Sequence, residues 1–140
     1  MHPHQPYQPH QSYRPPLVPV GVTASDGIKV KARRARMIAQ FTPELVVELR
    51  PGFNEFQLPP GYYRVQLWSQ YVWKAGKATL DIDATRGPVH FHYAAPYTLY
   101  SAGSAGFTPL ERPGLVVKMG IFAVAFAVPL LIALAALVTR

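Results

Sequence analysis

Residues 58–83 read LPPGYYRVQLWSQYVWKAGKATLDID, and their period decides the fold. After the Pro59-Pro60-Gly61 turn signal, Tyr63, Val65 and Leu67 fall on one face and Tyr62, Arg64, Gln66 and Trp68 on the other, the two-residue repeat of a strand. Ala78, Leu80 and Ile82 then alternate with Thr79, Asp81 and Asp83 across the Ala75-Gly76 turn signal.

The same rhythm extends outward in both directions. Leu45, Val47 and Leu49 alternate with Val46, Glu48 and Arg50 before Pro51-Gly52, and Val89, Phe91 and Tyr93 alternate with His90 and His92 after Arg86-Gly87-Pro88. Short alternating strands at this spacing predict an all-β domain, a small antiparallel β-sandwich or barrel, over residues 25–100. The predicted inward side chains are Val30, Leu45, Val47, Leu49, Phe56, Leu58 and Tyr63 in the first half. In the second half they are Val65, Leu67, Leu80, Ile82, Val89, Phe91 and Tyr93.

Residues 115–138, LVVKMGIFAVAFAVPLLIALAALV, break that rhythm. From position 119 onward they carry no charge and are apolar all round, so they predict one C-terminal transmembrane helix and a tail-anchored chain. Gly120, Ala123 and Ala127 supply small residues near one stripe, a candidate surface for packing against another helix. No ionisable residue lies deep in the span, which disfavours a proton path or ion pore.

Residues 1–24 contain a Pro-, Gln- and His-rich stretch that cannot bury enough apolar surface to fold, and they predict a disordered tail. Pro3, Pro6 and Pro9 would share one edge of a polyproline II helix, either as a recognition ligand or as a plain solvated end. The start of the sequence has no apolar h-region of a signal peptide. Arg112 and Lys118 precede or open the span, against Arg140 beyond it. The expectation is therefore a single-pass protein of the cell membrane with its N-terminal domain facing the cytoplasm. Residues 101–114 are rich in Gly, Ala, Ser and Pro and read as a strap between domain and span.

About ninety residues remain for the folded part, enough for one small, marginally stable domain. With no cysteine there is no disulfide, no thiolate nucleophile and no cysteine-held metal. The net charge is +7, and Lys29, Lys31, Arg33, Arg34 and Arg36 crowd into one stretch. Read as a first strand, this stretch lines Lys29, Lys31 and Arg33 along one face, which suits an anionic lipid surface or a charged edge strand. Near such a surface each cation is worth ~1 kcal/mol. Nucleic acid is not expected as a partner, since no base-stacking motif accompanies the charge.

Large aromatics interleaved with arginine have the composition of a binding hot spot. Tyr62, Arg64, Trp68, Tyr71 and Trp73 are the candidate partner-binding residues, unless another segment folds over them. His90 and His92 stand at i and i+2, about 7 Å apart on one strand face, a spacing two metal ligands can use. Asp81 or Asp83 would have to supply a third ligand, and the alternative is an ordinary polar face. His2, His4 and His10 lack anything to pre-organise them as ligands. No nucleophile elbow, P-loop, dinucleotide fingerprint or zinc-protease motif occurs. The expectation is a protein that is not an enzyme, with no catalytic residue, no cofactor and no metal.

Residues 44–82, with LRPG and then LPPGYYRVQLWSQYVWKAGKATLDI, resemble the small bacterial PEGA-type surface module. In that family an apolar strand meets a Pro-Gly turn and a Tyr-x-Val-x-Leu-like strand follows. Leu58, Pro60, Gly61, Tyr63, Val65 and Leu67 hold those places here. The chain departs from the pattern in lacking the internal Asp-Gly turn and a Pro-Glu-Gly-Ala segment. Its layout, with YAAPYTLYSAGSAGFTP at 93–109 before the span, is also similar to small single-span membrane proteins of actinobacteria. Both resemblances imply a non-enzymatic interaction module. The function expected on these grounds is a docking or scaffold module at the membrane surface, with an integral membrane complex, anionic lipid or both as partner. Two alternatives are an accessory subunit of a larger respiratory or envelope-transport assembly and a metal-binding protein using His90 and His92.

Overall fold

The computed structural model describes residues 14–31 and 33–139. Ten strands precede one helix among them: β1 (Val18–Ala24), β2 (Lys29–Val30), β3 (Arg33–Arg34), β4 (Arg36–Gln40), β5 (Val46–Leu49), β6 (Gly52–Leu58), β7 (Tyr62–Gln70), β8 (Lys74–Asp83), β9 (Val89–Ala94), β10 (Ser104–Gly106) and α1 (Leu115–Val138). Two four-stranded sheets, ordered β10-β9-β1-β6 and β5-β4-β7-β8, enclose a common core, and β2-β3 is a separate small hairpin. The all-β sandwich expected from the period is therefore present. All pairs are antiparallel except β1 with β9, which run side by side in parallel.

The alternation dictates the packing. Every side chain predicted to point inward is either buried in the core cluster or packed against it. Val65, Leu67 and Ile82 from one sheet meet Val20, Val22 and Phe91 from the other, all nearly sealed from solvent. Full burial of such a side chain stabilises by about 1.5–3 kcal/mol, and this is what holds two small sheets together without a disulfide. At one end Phe41 packs against Phe56 and Tyr63, with centroids 5.9 Å and 6.4 Å away.

The tail boundary needs correction. β1 lies within the stretch read as disordered and is a central strand, paired with β6 on one side and β9 on the other. Pro19 concealed it, since proline cannot donate to a ladder. The conflict is resolved by register: Pro19 sits opposite Gln57 of β6, and pairing with β9 starts only at Val20. Gly21 serves the same strand by close approach, because a Cβ there would stand 2.7 Å from the Phe53 ring and 3.2 Å from the His90 ring. The expectations for residues 1–13 lie outside the described residues.

The strap is also more ordered than its composition suggests, for β10 joins the edge of β9. After it, α1 runs 24 residues with Pro129 inside and no residue buried. It is long and apolar enough to cross a membrane.

Candidate interaction surface

Because β1 and β9 are parallel, their C-terminal ends finish at the same pole, and a series of bonds gathers the rest there. Ser25 N–H donates to the Tyr93 carbonyl at 2.9 Å, and Ala95 N–H donates to the Ser25 hydroxyl at 2.9 Å. The Arg112 guanidinium then clamps the strap by donating to the carbonyls of Ala95 at 3.0 Å and Pro96 at 3.1 Å. Tyr97 lies under two cations, Arg112 at 4.4 Å and Lys118 at 5.3 Å from the ring centre. Tyr97 N–H reaches the Pro113 carbonyl, and Gly114 opens α1 in the left-handed region at φ 88°. A Cβ on Gly114 would meet the Ser101 hydroxyl at 2.5 Å, so the helix leaves the sandwich through a junction that only glycine fits. In the sequence Arg112 stands only as a flanking charge; its clamping role has no local signature, because its acceptors lie 16 and 17 residues earlier.

The basic stretch follows β1 at this pole, and its form differs from the single strand expected. Lys31 turns the chain at φ 44°, so Lys29 pairs with Arg34 and Val30 with Arg33 in a two-stranded hairpin. Lys29, Lys31 and Arg33 therefore do not line one strand face. The turn instead crowds the charges into a compact cluster, closed at its base by Ala35 N–H donating to the Ile28 carbonyl. Arg34 approaches Asp26 at 3.5 Å and Arg36 approaches Glu48 at 3.9 Å, both exposed and weak. Among the described residues, Lys29, Lys31 and Arg33 make no ion pair.

The β7–β8 tip reaches the same pole, since Gln70 pairs with both Lys74 and Arg36. Tyr71 N–H donates to the Trp73 carbonyl, and the two rings meet edge to face at 5.7 Å. Val72 between them is 80% exposed. A shallow cleft joins this tip to the basic hairpin, with Val30, Arg33, Arg34 and Arg36 on one wall and Tyr71 and Val72 on the other.

The five predicted partner-binding residues are thus divided. Tyr71 and Trp73 stand at this pole, whereas Tyr62 is 78% exposed at the opposite end of β7. The open-face placement of Trp68 needs correction, because it is only 6% exposed. β7 keeps its alternation against β4, with Trp68 opposite Ile38 on the outer face, and the bulge lies in β8, where Gly76 and Lys77 stand opposite Trp68. Leu67, Trp68 and Ser69 are nonetheless buried in succession. Trp68 lies outside the common core. It is covered by the Lys74 ammonium 4.0 Å from its ring, and its indole N–H donates to the Gln70 side chain at 3.0 Å.

Arg64 is engaged across strands with Asp81, with its Nε donating at 2.8 Å. Those hydrogen bonds, opposed by slight desolvation, hold the Asp81 carboxyl below its ordinary value and raise the Arg64 guanidinium. Asp83 is likewise lowered, chiefly by the Thr85 hydroxyl and then by the Thr85 N–H. Both carboxylates are therefore partnered.

His90 and His92 bring their ring centres to 4.7 Å on the first sheet. His90 shares a 2.8 Å hydrogen bond with Thr23 and packs on Phe53. Desolvation, and then the neighbouring His90, lower the His92 pKa. The third ligand envisaged from β8 is misplaced, because Asp81 and Asp83 belong to the other sheet. Among the described residues no cluster of three potential ligands forms. Gly120, Ala123 and Ala127 are exposed on α1.

No family model matches this chain, and comparison with curated proteins and with solved structures gives no match either.

Proposed function

We propose that this chain is a single-span membrane protein whose β-sandwich acts, without catalysis, as an interaction module held at the membrane surface. The observation that carries the reading is the pairing of α1, which has no buried residue, with the Arg112–Tyr97–Lys118 junction that holds its start against the sandwich. A helix with an apolar surface on every side needs an apolar surrounding, and a bilayer supplies it over the helix's length of about 36 Å. The cations at its N-terminal end favour the cytoplasmic side for the sandwich. The resemblance to PEGA-type modules points to the same non-enzymatic role.

The partner in this reading is an integral membrane assembly, which the sandwich caps while α1 stays in the bilayer. Alkaline carbonate extraction and protease treatment of sealed, inverted vesicles test the tether and its orientation. The full chain should stay with the membrane and the sandwich should be cleaved. Release of the intact chain by carbonate overturns the reading. Native electrophoresis in mild detergent tests the docking: migration in an assembly larger than the chain is expected, and migration of the chain alone overturns it. An accessory-subunit variant of the reading is favoured by the small residues Ala123 and Ala127 on the helix surface. Replacing α1 with an unrelated span of equal length separates the two, since only docking through the span is lost.

A further inference from the structure

The geometry points to the anchor-side pole, formed by the β2–β3 hairpin and the β7–β8 tip, as a docking surface for the anionic headgroups of the leaflet in which α1 is anchored. This inference rests on the tethered reading and deepens it by naming what the pole meets.

Three observations converge on that occupant. The charge is concentrated and little compensated: the hairpin packs Lys29, Lys31 and Arg33 around one turn, with no acidic partner among the described residues. Beside it the tip exposes an aliphatic side chain between two aromatic ones, Tyr71, Val72 and Trp73, an arrangement that places apolar atoms at headgroup depth with cations alongside. Position provides the third. The hairpin is joined through Ser25 to the end of β9, and the tip is joined through the Tyr93 hydroxyl, which donates to the Gly76 carbonyl at 2.8 Å. The same β9 end holds Arg112 and the start of α1. Cations, apolar tip and helix start thus belong to one end of a single packed body. A nucleic acid or an acidic protein would suit the charge, but not the exposed valine and tryptophan beside a bilayer-length helix.

Contact of this kind fixes the domain's tilt. With α1 as one attachment and the pole as a second, the sandwich is held upright on the leaflet and the Tyr62 end of β7 faces away from it. The second attachment works at the high effective concentration that the first provides, so a modest affinity is enough.

The test uses the full chain, which has no cysteine, so a single introduced thiol carries a unique spin label. Val72→Cys labels the tip and Arg86→Cys labels the opposite end; both positions are exposed. Each is reconstituted in nanodiscs of phosphatidylcholine alone or with phosphatidylglycerol added, and collision with oxygen against a water-soluble nickel complex reads depth. The label at position 72 should move from water-like accessibility in neutral discs to headgroup depth or deeper in anionic ones. Raising the salt to about 0.5 M, where screening acts over only a few ångströms, should reverse the shift. The label at position 86 should stay in water throughout. Adding Lys29→Glu and Arg33→Glu to the position 72 variant should abolish the shift, with circular dichroism confirming the fold. An equal depth signal in both disc types, or a water-like label in both, overturns the inference while leaving the tether intact. Failure of the chain to enter discs at all overturns the tether instead.

Discussion

The two ends of the sandwich are built from the same strands and differ in chemistry. At the end where α1 begins lie the β2–β3 cations, Arg50 after β5, Lys74 at the start of β8 and the aromatic tip. At the far end the charge is mixed, with Glu44 in the β4–β5 turn, Asp83 opposite Tyr62 and Arg86 in the β8–β9 turn, beside the Pro59-Pro60-Gly61 turn. β7 runs the whole distance between them, about 27 Å for nine residues. A strand can therefore carry two aromatics of the same kind into different roles: Tyr62 lies open at one end, while Trp68 is roofed by Lys74 near the other. Composition alone makes them look alike.

Truncating both residues should sharpen that contrast most. Trp68→Ala is expected to cost about 3 kcal/mol in urea unfolding of the full chain in detergent, the range for a buried aromatic. Tyr62→Ala should stay within about 0.5 kcal/mol, as for an exposed side chain. Equal costs would show that the cover of Lys74 and Gln70 does not bury the indole.

A smaller effect is expected at the junction. Arg112→Ala removes two charge-assisted hydrogen bonds to the strap, a change of about 1.5–3 kcal/mol in local stability. It should appear as faster hydrogen exchange at the Tyr97 amide, with the far-end amides of β6 and β7 unchanged. Uniform acceleration would mean that Arg112 supports the whole domain. Tyr93→Phe comes next. It leaves the Gly76 carbonyl without its donor and should cost about 1–2 kcal/mol, loosening the β7–β8 tip before the far end.

The pH predictions are the smallest, and each belongs to a different part of the molecule. Asp81 has its folded pKa depressed, so its contribution is present above the ordinary carboxylate value and is lost as pH falls through the folded one. NMR titration should place it below an ordinary aspartate, and Arg64→Gln should return it upward. His92 has a folded pKa below 6.5, so the unfolded chain takes up the proton first and stability falls as pH drops through that value. His90→Asn should raise the His92 pKa, and an unchanged titration would show that burial alone sets it.

Much of the fold is legible from particular residues. The run from Tyr63 to Leu67 and the run from Ala78 to Ile82 alternate cleanly, and the structure pairs them in the register that alternation demands, Tyr63 with Ile82 and Val65 with Leu80. Where a local rule is broken, reading fails. Pro19 disguised a central strand whose missing donor is harmless only because β9 begins pairing one residue later. Trp68 keeps the outer face its period assigns, but Lys74 and Gln70 cover it there, and side chains laid over a face leave no mark in the period. The candidate surface was half legible: the charges at 29–36 and the aromatics at 71 and 73 stood out by composition, but the cleft that Arg33, Arg34 and Arg36 share with Tyr71, and the turn at Lys31, did not.

Period and hydropathy act through neighbours in the chain, so the sequence by itself determined the β character, the inward side chains and the apolar helix. Tertiary structure alone decided that β1 would lie parallel to β9, and with it that the cations, the aromatic tip and the start of α1 would meet at one pole. That assembly depends on which distant strands share hydrogen bonds, and contacts across sixty or seventy residues leave no mark in local periodicity.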